Sequence, residues 1–264
     1  MPWSTKDMDT QLSRQSVWLR ESWIWLLEQR VLRNWNGRGR PTALDVGCGP
    51  GFVMELLAHM FDVQGIDIDP VAVAEGRRRG FEIREADAHS LPFKDNSFDM
   101  IYCSFLLLWV DDPAKVLSEM TRVSRQWVVC LAEPDLGARI DFPEELLSLG
   151  RIAEEGVRGE GGDPLVGRKL RSIFQACGLE PEVGVHPGVW GIDKLREGTF
   201  EAWIDLAPVL TEWESGAFEK SAEAEAIAAE AIADGDTDGA VSALMGSDTA
   251  LGLEAYEFIL ELSS

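Results

Sequence analysis

The sequence predicts an α/β fold built on a doubly wound parallel sheet. Three observations carry that reading. Short, almost wholly apolar runs alternate with helix-periodic segments between residues 42 and 132. Those runs lack the polar alternation of a half-exposed sheet, so both sheet faces are covered. The first run leads directly into a glycine-rich loop, Gly47, Gly49 and Gly51, which opens a helix.

Taken in order, residues 11–34 read as one helix. Trp18, Trp25 and Leu32 recur at sevens, with Leu19, Trp23 and Leu26 beside them. NGRGRP at 36–41 then breaks the chain. Thr42–Val46 is a first strand, Phe52–Phe61 a helix and Val63–Asp67 a second strand. Pro70 suits the first position of a helix running over Val71–Arg79. Phe81–Ala86 is a third strand, followed by a polar loop, AHSLPFKDNS. Phe98–Ser104 is a fourth. Asp112 and Pro113 open a helix to Val123 with Val116, Leu117 and Met120 inward, and Trp127–Ala132 is a fifth strand.

The second half is less regular. Helices are expected over Pro143–Glu155 and Arg168–Cys177, the latter stopped by Gly178. Pro181–His186 is a sixth strand. Residues 194–234 read as helices, and Ala255–Leu262, whose apolar residues alternate, as a seventh strand. The whole is one domain, 1–264, in five parts. These are an N-terminal helical lid (1–39), a ligand-binding core (40–135), helical insertions at 137–166 and 187–250 that form a cap, and a final strand (254–264).

Composition narrows the function. The longest apolar runs fall far short of the ~20 residues that span a bilayer, so no membrane span is expected. The N-terminus, MPWSTKDMDTQ, lacks an apolar signal region. The four cysteines form no CxxC, which points to reduced thiols, a cytoplasmic location and no structural metal. DGDTDG at 234–239 lacks the spacing and closing Glu of a calcium loop and reads as a turn. The formal charge is −22, and from Glu197 onward there are sixteen acids and one base, Lys220. Such a surface repels phosphate backbones, so no nucleic-acid partner is expected. Arg77–Arg79 form a local basic run that equally suits a solvated helix end.

The glycine loop is the most informative stretch. ALDVGCGPGF lacks the Lys-Ser or Lys-Thr of a triphosphate loop. Its GxGxG differs from the GxGxxG of a dinucleotide fold, although Asp67 stands 20 positions after Gly47, where an acid takes ribose hydroxyls. Asp45 would repel a pyrophosphate and favour an ammonium or sulfonium centre. Asp87, in EADAHSLPF, is placed to accept from an adenine amino group.

Together these features resemble a class I S-adenosylmethionine-dependent methyltransferase, most closely the ubiquinone/menaquinone-biosynthesis type of small-molecule methyltransferase. The resemblance is carried by LDVGCGPG (44–51), GIDIDP (65–70), EADAHSLPFKDNSFDMIYCSFLLLWVDDP (85–113), LSEMTRVSR (117–125) and, more weakly, GRKLRSIFQACGL (167–179). It implies a Rossmann-like seven-stranded sheet with the last strand antiparallel. It also implies S-adenosylmethionine as cofactor and methyl transfer to an O, N or C atom of a small molecule by in-line displacement. Asp45 and the backbone of Gly47, Cys48 and Gly49 would meet the methionine part. Asp67 would hold the ribose, Ile68 would lie against the adenine, and Asp87 and Ala88 would contact its edge. Ser104 and Phe105 would lie near the methyl-bearing end.

The acceptor side is less specified. His186 is a weak candidate for a base, against a loop or core histidine. Arg139, Trp190 and Trp203 are candidates for acceptor binding. Trp18, Trp23 and Trp25 can lid the cofactor or pack as core. A non-catalytic protein of the same fold and a nicotinamide-dependent oxidoreductase are the alternatives, and a homodimer stays open.

Overall fold

The structure is a computed structural model and describes residues 5–138 and 147–184. The chain divides into two compact units. One takes in 9–135 and 162–188, the other 1–8, 136–161 and 189–264.

The first unit holds a five-stranded parallel sheet in the order β3-β2-β1-β4-β5. The strands are β1 (Thr42–Val46), β2 (Asp62–Asp67), β3 (Ile83–Glu85), β4 (Phe98–Ser104) and β5 (Ser124–Ala132). β1 lies at the centre because four of its five residues are buried and it pairs on both edges. The order reverses direction on either side of β1, which places a crevice at the carboxyl ends of β1 and β4.

Two helices begin where the sequence supplies a side-chain cap. In α3 (Pro70–Arg78), the Asp69 carboxylate accepts from the Val71 amide at 2.8 Å, and Pro70 fills a position whose N–H would be idle. In α4 (Pro113–Val123), Asp112 accepts from the Lys115 amide at 2.9 Å. Its Val116, Leu117, Met120 and Val123 are buried, as the periodicity predicts. α2 (Phe52–Leu57) ends four residues sooner than expected, and Met60 and Phe61 bond back to the Leu57 carbonyl in a turn. α6 (Val166–Ala176) is followed by Gly178 at φ +77°, the left-handed closing residue expected there.

The long first helix, α1 (Thr5–Arg30), corrects the sequence reading of its buried face. The seven-residue recurrence of Trp18, Trp25 and Leu32 does not set it. Trp23, Leu27 and Val31, four apart, are buried against Phe61, Met100 and Tyr102, whereas Trp25 is 55% exposed. A straight helix on a sheet face presents an i, i+4 row, while strict sevens require a supercoiled partner.

The expected seven strands reduce to five among the described residues, none of them antiparallel. The sixth, placed at Pro181–His186, is irregular over 181–184. Pro181 has no N–H for a ladder, and Val183 is 42% exposed, so no burial rewards pairing there. The seventh strand, at 255–262, lies outside the described residues. So do His186, Arg139, Trp190, Trp203, the insertion at 187–250 and the final segment 254–264.

In the second unit, α5 (Leu147–Gly159) carries an Arg158–Glu154 ion pair one turn apart. It runs four residues beyond the predicted end at Glu155, and the start predicted at Pro143 lies outside the described residues. Among the described residues, no helix is long and apolar enough to cross a membrane.

Candidate functional site

The glycine loop forms because β1 must turn sharply over the end of β2. Gly47 has φ +73°, and a Cβ there would come within 2.7 Å of Leu106. Only glycine fits both demands. The amides of Gly47 and Cys48 both donate to the Ile66 carbonyl at 2.9 Å, which fastens the loop to β2. Leu12 of α1 comes over the loop, 3.8 Å from where a Cβ of Gly49 would lie.

Asp67 completes this fastening. One carboxylate oxygen accepts from the Gly49 amide at 2.7 Å, the other from the Asp69 amide at 2.9 Å. Burial pushes its carboxyl above the usual range, with these amides pulling the other way. It is Asp69, not Asp67, that caps α3. Beside it, Ile68 is 69% exposed, a large apolar side chain that the fold leaves uncovered.

Asp45 is only 2% exposed, and its Oδ2 has no hydrogen-bond partner. Burial pushes its carboxyl up to about 8; the Tyr102 phenol lowers it and the Asp67 charge raises it further. Cys48, between the two acids, is pushed up by burial and then by both carboxylates. This thiol is inert packing rather than a nucleophile.

Asp87 follows β3 in a tight turn. Its side chain accepts from the His89 amide and pairs with His89 Nδ1, both at 2.8 Å, which holds the carboxyl below its usual range. His89 is thereby a structural partner. Ala88 beside it is buried. The loop beyond is clamped by Arg122, which donates to the carbonyls of Leu91 and Phe93 and to Asp95. At the end of β4, the Ser104 hydroxyl is buried without a partner, and Phe105 adopts φ +53°. A bulky residue in that region is strained, and such residues gather at ligand sites.

Two residues of this region escaped the sequence reading. Glu133, just past β5, accepts from the amides of Leu106, Leu107 and Leu108 at 2.9, 2.7 and 3.2 Å. It thereby holds the turn that follows Phe105. Burial pushes its carboxyl up to about 7, the three amides opposing. The Cys103 and Cys130 thiols lie 3.9 Å apart next to it, and Cys130 donates on to Glu133. That chain closes on itself with every group partnered. The other missed residue is Tyr102, whose buried hydroxyl is unpartnered. A cavity of about 330 Å³ opens at the opposite, amino ends of β1 and β2, among Arg40, Phe61 and Phe81. No unpartnered buried polar atom lines it.

A central strand ending in a glycine loop, tied by the acid of the next strand, is the arrangement of a Rossmann-like α/β domain. Residues 44–130 match the family model described as a methyltransferase domain. Its motifs resemble those of the S-adenosylmethionine-dependent class. A phosphatidylethanolamine N-methyltransferase of Cereibacter sphaeroides is 36% identical over 106 residues, covering 37% of this chain and 52% of the relative. A demethylmenaquinone methyltransferase of Bacillus pumilus is 28% identical over 176 residues, 57% of this chain and 75% of the relative. A solved SAM-dependent methyltransferase of Thermotoga maritima is 19% identical with a TM-score of 0.46, covering 65% and 78% of the two chains. The chain spans about half the length, or less, of the first curated relatives it matches.

Proposed function

We propose that the chain is a methyltransferase that uses S-adenosylmethionine to methylate an O, N or C atom of a small-molecule acceptor by in-line displacement. The observation that carries this reading is Asp45. A fully buried carboxylate oxygen without a partner, beside a loop whose amides are already satisfied, asks for a cationic ligand group. A pyrophosphate would meet a buried acid beside loop amides already bonded to Ile66, Asp67 and Cys48. The ammonium of an amino acid answers it.

The cofactor supplies a methyl group already activated on a sulfonium centre. The residues of the chain do the remaining work. Asp45 takes the ammonium. Asp67, held in place by the Gly49 and Asp69 amides, presents its remaining acceptor capacity to ribose hydroxyls. Ile68 offers an apolar face to the base, and Asp87 with Ala88 its edge. Ser104 and Phe105 shape the reacting end, where alignment and exclusion of water give the rate. His186 is proposed for any proton the acceptor must lose, and Arg139, Trp190 and Trp203 for binding it. The names of the relatives specify phosphatidylethanolamine and demethylmenaquinone, which supports a small-molecule acceptor. A cytoplasmic location belongs to the same reading, supported by four free thiols.

Calorimetric titration with S-adenosylmethionine, S-adenosylhomocysteine and NADH tests the reading. The two S-adenosyl compounds bind in the micromolar range and NADH does not. Asp67→Ala abolishes that binding. Folded protein that ignores both S-adenosyl compounds overturns it.

A further inference from the structure

Asp45 on β1 and Tyr102 on β4 are register partners on adjacent parallel strands. Partners in register leave the sheet on the same face. Both are buried, Tyr102 completely. The Asp45 Oδ2 and the Tyr102 hydroxyl each lack a hydrogen-bond partner. Buried polar groups are nearly always paired, so two neighbouring orphans of complementary chemistry, an acceptor and a donor, need a joint explanation. The Ser104 hydroxyl and the Trp23 indole N–H are also buried and unpartnered, and Trp23 shares a core cluster with Tyr102.

We propose that Tyr102 is a positioning residue for Asp45: as the ammonium of the nucleoside amino acid binds, its phenol donates to the Asp45 carboxylate and favours the ionised form. This rests on the function proposed above. The other groups facing Asp45 do not favour its ionised form. Asp67 from β2 disfavours a second negative charge, and the Cys48 thiol from the glycine loop stays neutral. From α1, the buried residues are Ser16, Trp23 and Leu27, none of them titratable. Tyr102 is therefore the group at hand to favour the carboxylate. With the carboxyl protonated beforehand, binding releases one proton from Asp45 to solvent as the ion pair forms.

The test is the pH dependence of S-adenosylhomocysteine affinity, by calorimetry from about pH 6 to 9.5. 5′-Methylthioadenosine, which lacks the amino-acid part, is the control. Affinity for S-adenosylhomocysteine falls on the acid side as Asp45 protonates, and on the alkaline side as the ligand's amine loses its charge. Tyr102→Phe weakens binding about tenfold near pH 6.5, the scale of one hydrogen bond to a charged group. It moves the acid limb upward and leaves the alkaline limb in place. Methylthioadenosine affinity is unchanged at every pH. In an Asp45→Asn background, Tyr102→Phe has no further effect.

Replacing the two tyrosines, Tyr102 and Tyr256, with 3-fluorotyrosine disturbs packing least and makes the phenol a stronger donor. It moves the acid limb downward. An acid limb that stays put in both proteins, or an equal loss of affinity at every pH, overturns the proposal. Wild-type protein that binds neither nucleoside overturns the parent reading instead.

Discussion

On the proposed function, Asp45 trades stability for binding. Its folded pKa of about 8 lies far above the ~3.9 of an unfolded aspartate. The folded state therefore holds a proton that the unfolded state has lost between those values. Its stabilising contribution is complete below about pH 4 and is lost as pH rises toward 8, by at most about 1.4 kcal/mol per pH unit. Glu133 and Asp67 work in the same direction. Asp45→Asn removes the chargeable group but keeps the shape. It should unfold at higher temperature than the wild type at pH 8, with the gap closing near pH 4, while binding S-adenosylhomocysteine more weakly but measurably. Thermal melts at the two pH values decide it; a variant less stable at pH 8 would show that Asp45 is not a buried acid held at a cost. Asp45 and Asp67 were legible in the sequence because each sits at a fixed offset from the glycines. Tyr102 and Glu133 were not, because strand register and the end of β5, rather than any local pattern, bring them to the site.

Among the elements, α4 and α1 mark the extremes of legibility. In α4 a capping Asp, a Pro and an apolar row at helical spacing all agree, and the helix forms where they place it. In α1 apolar residues are scattered around the helix, so the sequence does not single out a face. The sheet selects the Trp23–Leu27–Val31 row because those side chains meet Met100 and Tyr102. This is a tertiary choice that periodicity alone does not encode. Leu27, with no exposed surface, makes the test. Leu27→Ala should cost ~2–5 kcal/mol in urea unfolding, whereas Trp25→Ser should stay within ~0.5 kcal/mol. A reversed order would restore the seven-residue face. Because α1 also brings Leu12 over Gly49, loosening it by Leu27→Ala should weaken nucleoside binding as well.

For the whole molecule, the property that bears on the expected absence of a nucleic-acid partner is charge. The sheet core was readable because alternating apolar runs and helices permit few topologies, and β1 to β5 fall where the runs are. The sixth strand rested on two valines, Val183 and Val185, after a proline, and the chain is irregular over 181–184. The charge balance needs no fold to read, but the fold changes what one basic run means. Arg77, Arg78 and Arg79 are the densest positive stretch, and each is occupied internally. Arg77 donates to the Ile83 carbonyl, Arg78 pairs with Glu75, and Arg79 donates to Pro50, pairs with Glu55 and lies 4.3 Å over the Phe52 ring. A groove for a phosphate backbone needs several free cations; Arg77 and Arg79 are tied to backbone carbonyls, and Arg78 is held by its exposed pair with Glu75. With a net charge of −22, long-range repulsion adds to that local shortage. Fluorescence anisotropy with labelled duplex DNA and single-stranded RNA at about 20 mM salt should therefore show no binding, even where screening is weakest and any electrostatic contact strongest. Binding at low salt that vanishes near 200 mM would mean that a cationic surface elsewhere outweighs the net charge, and the acceptor search would turn to nucleic acids.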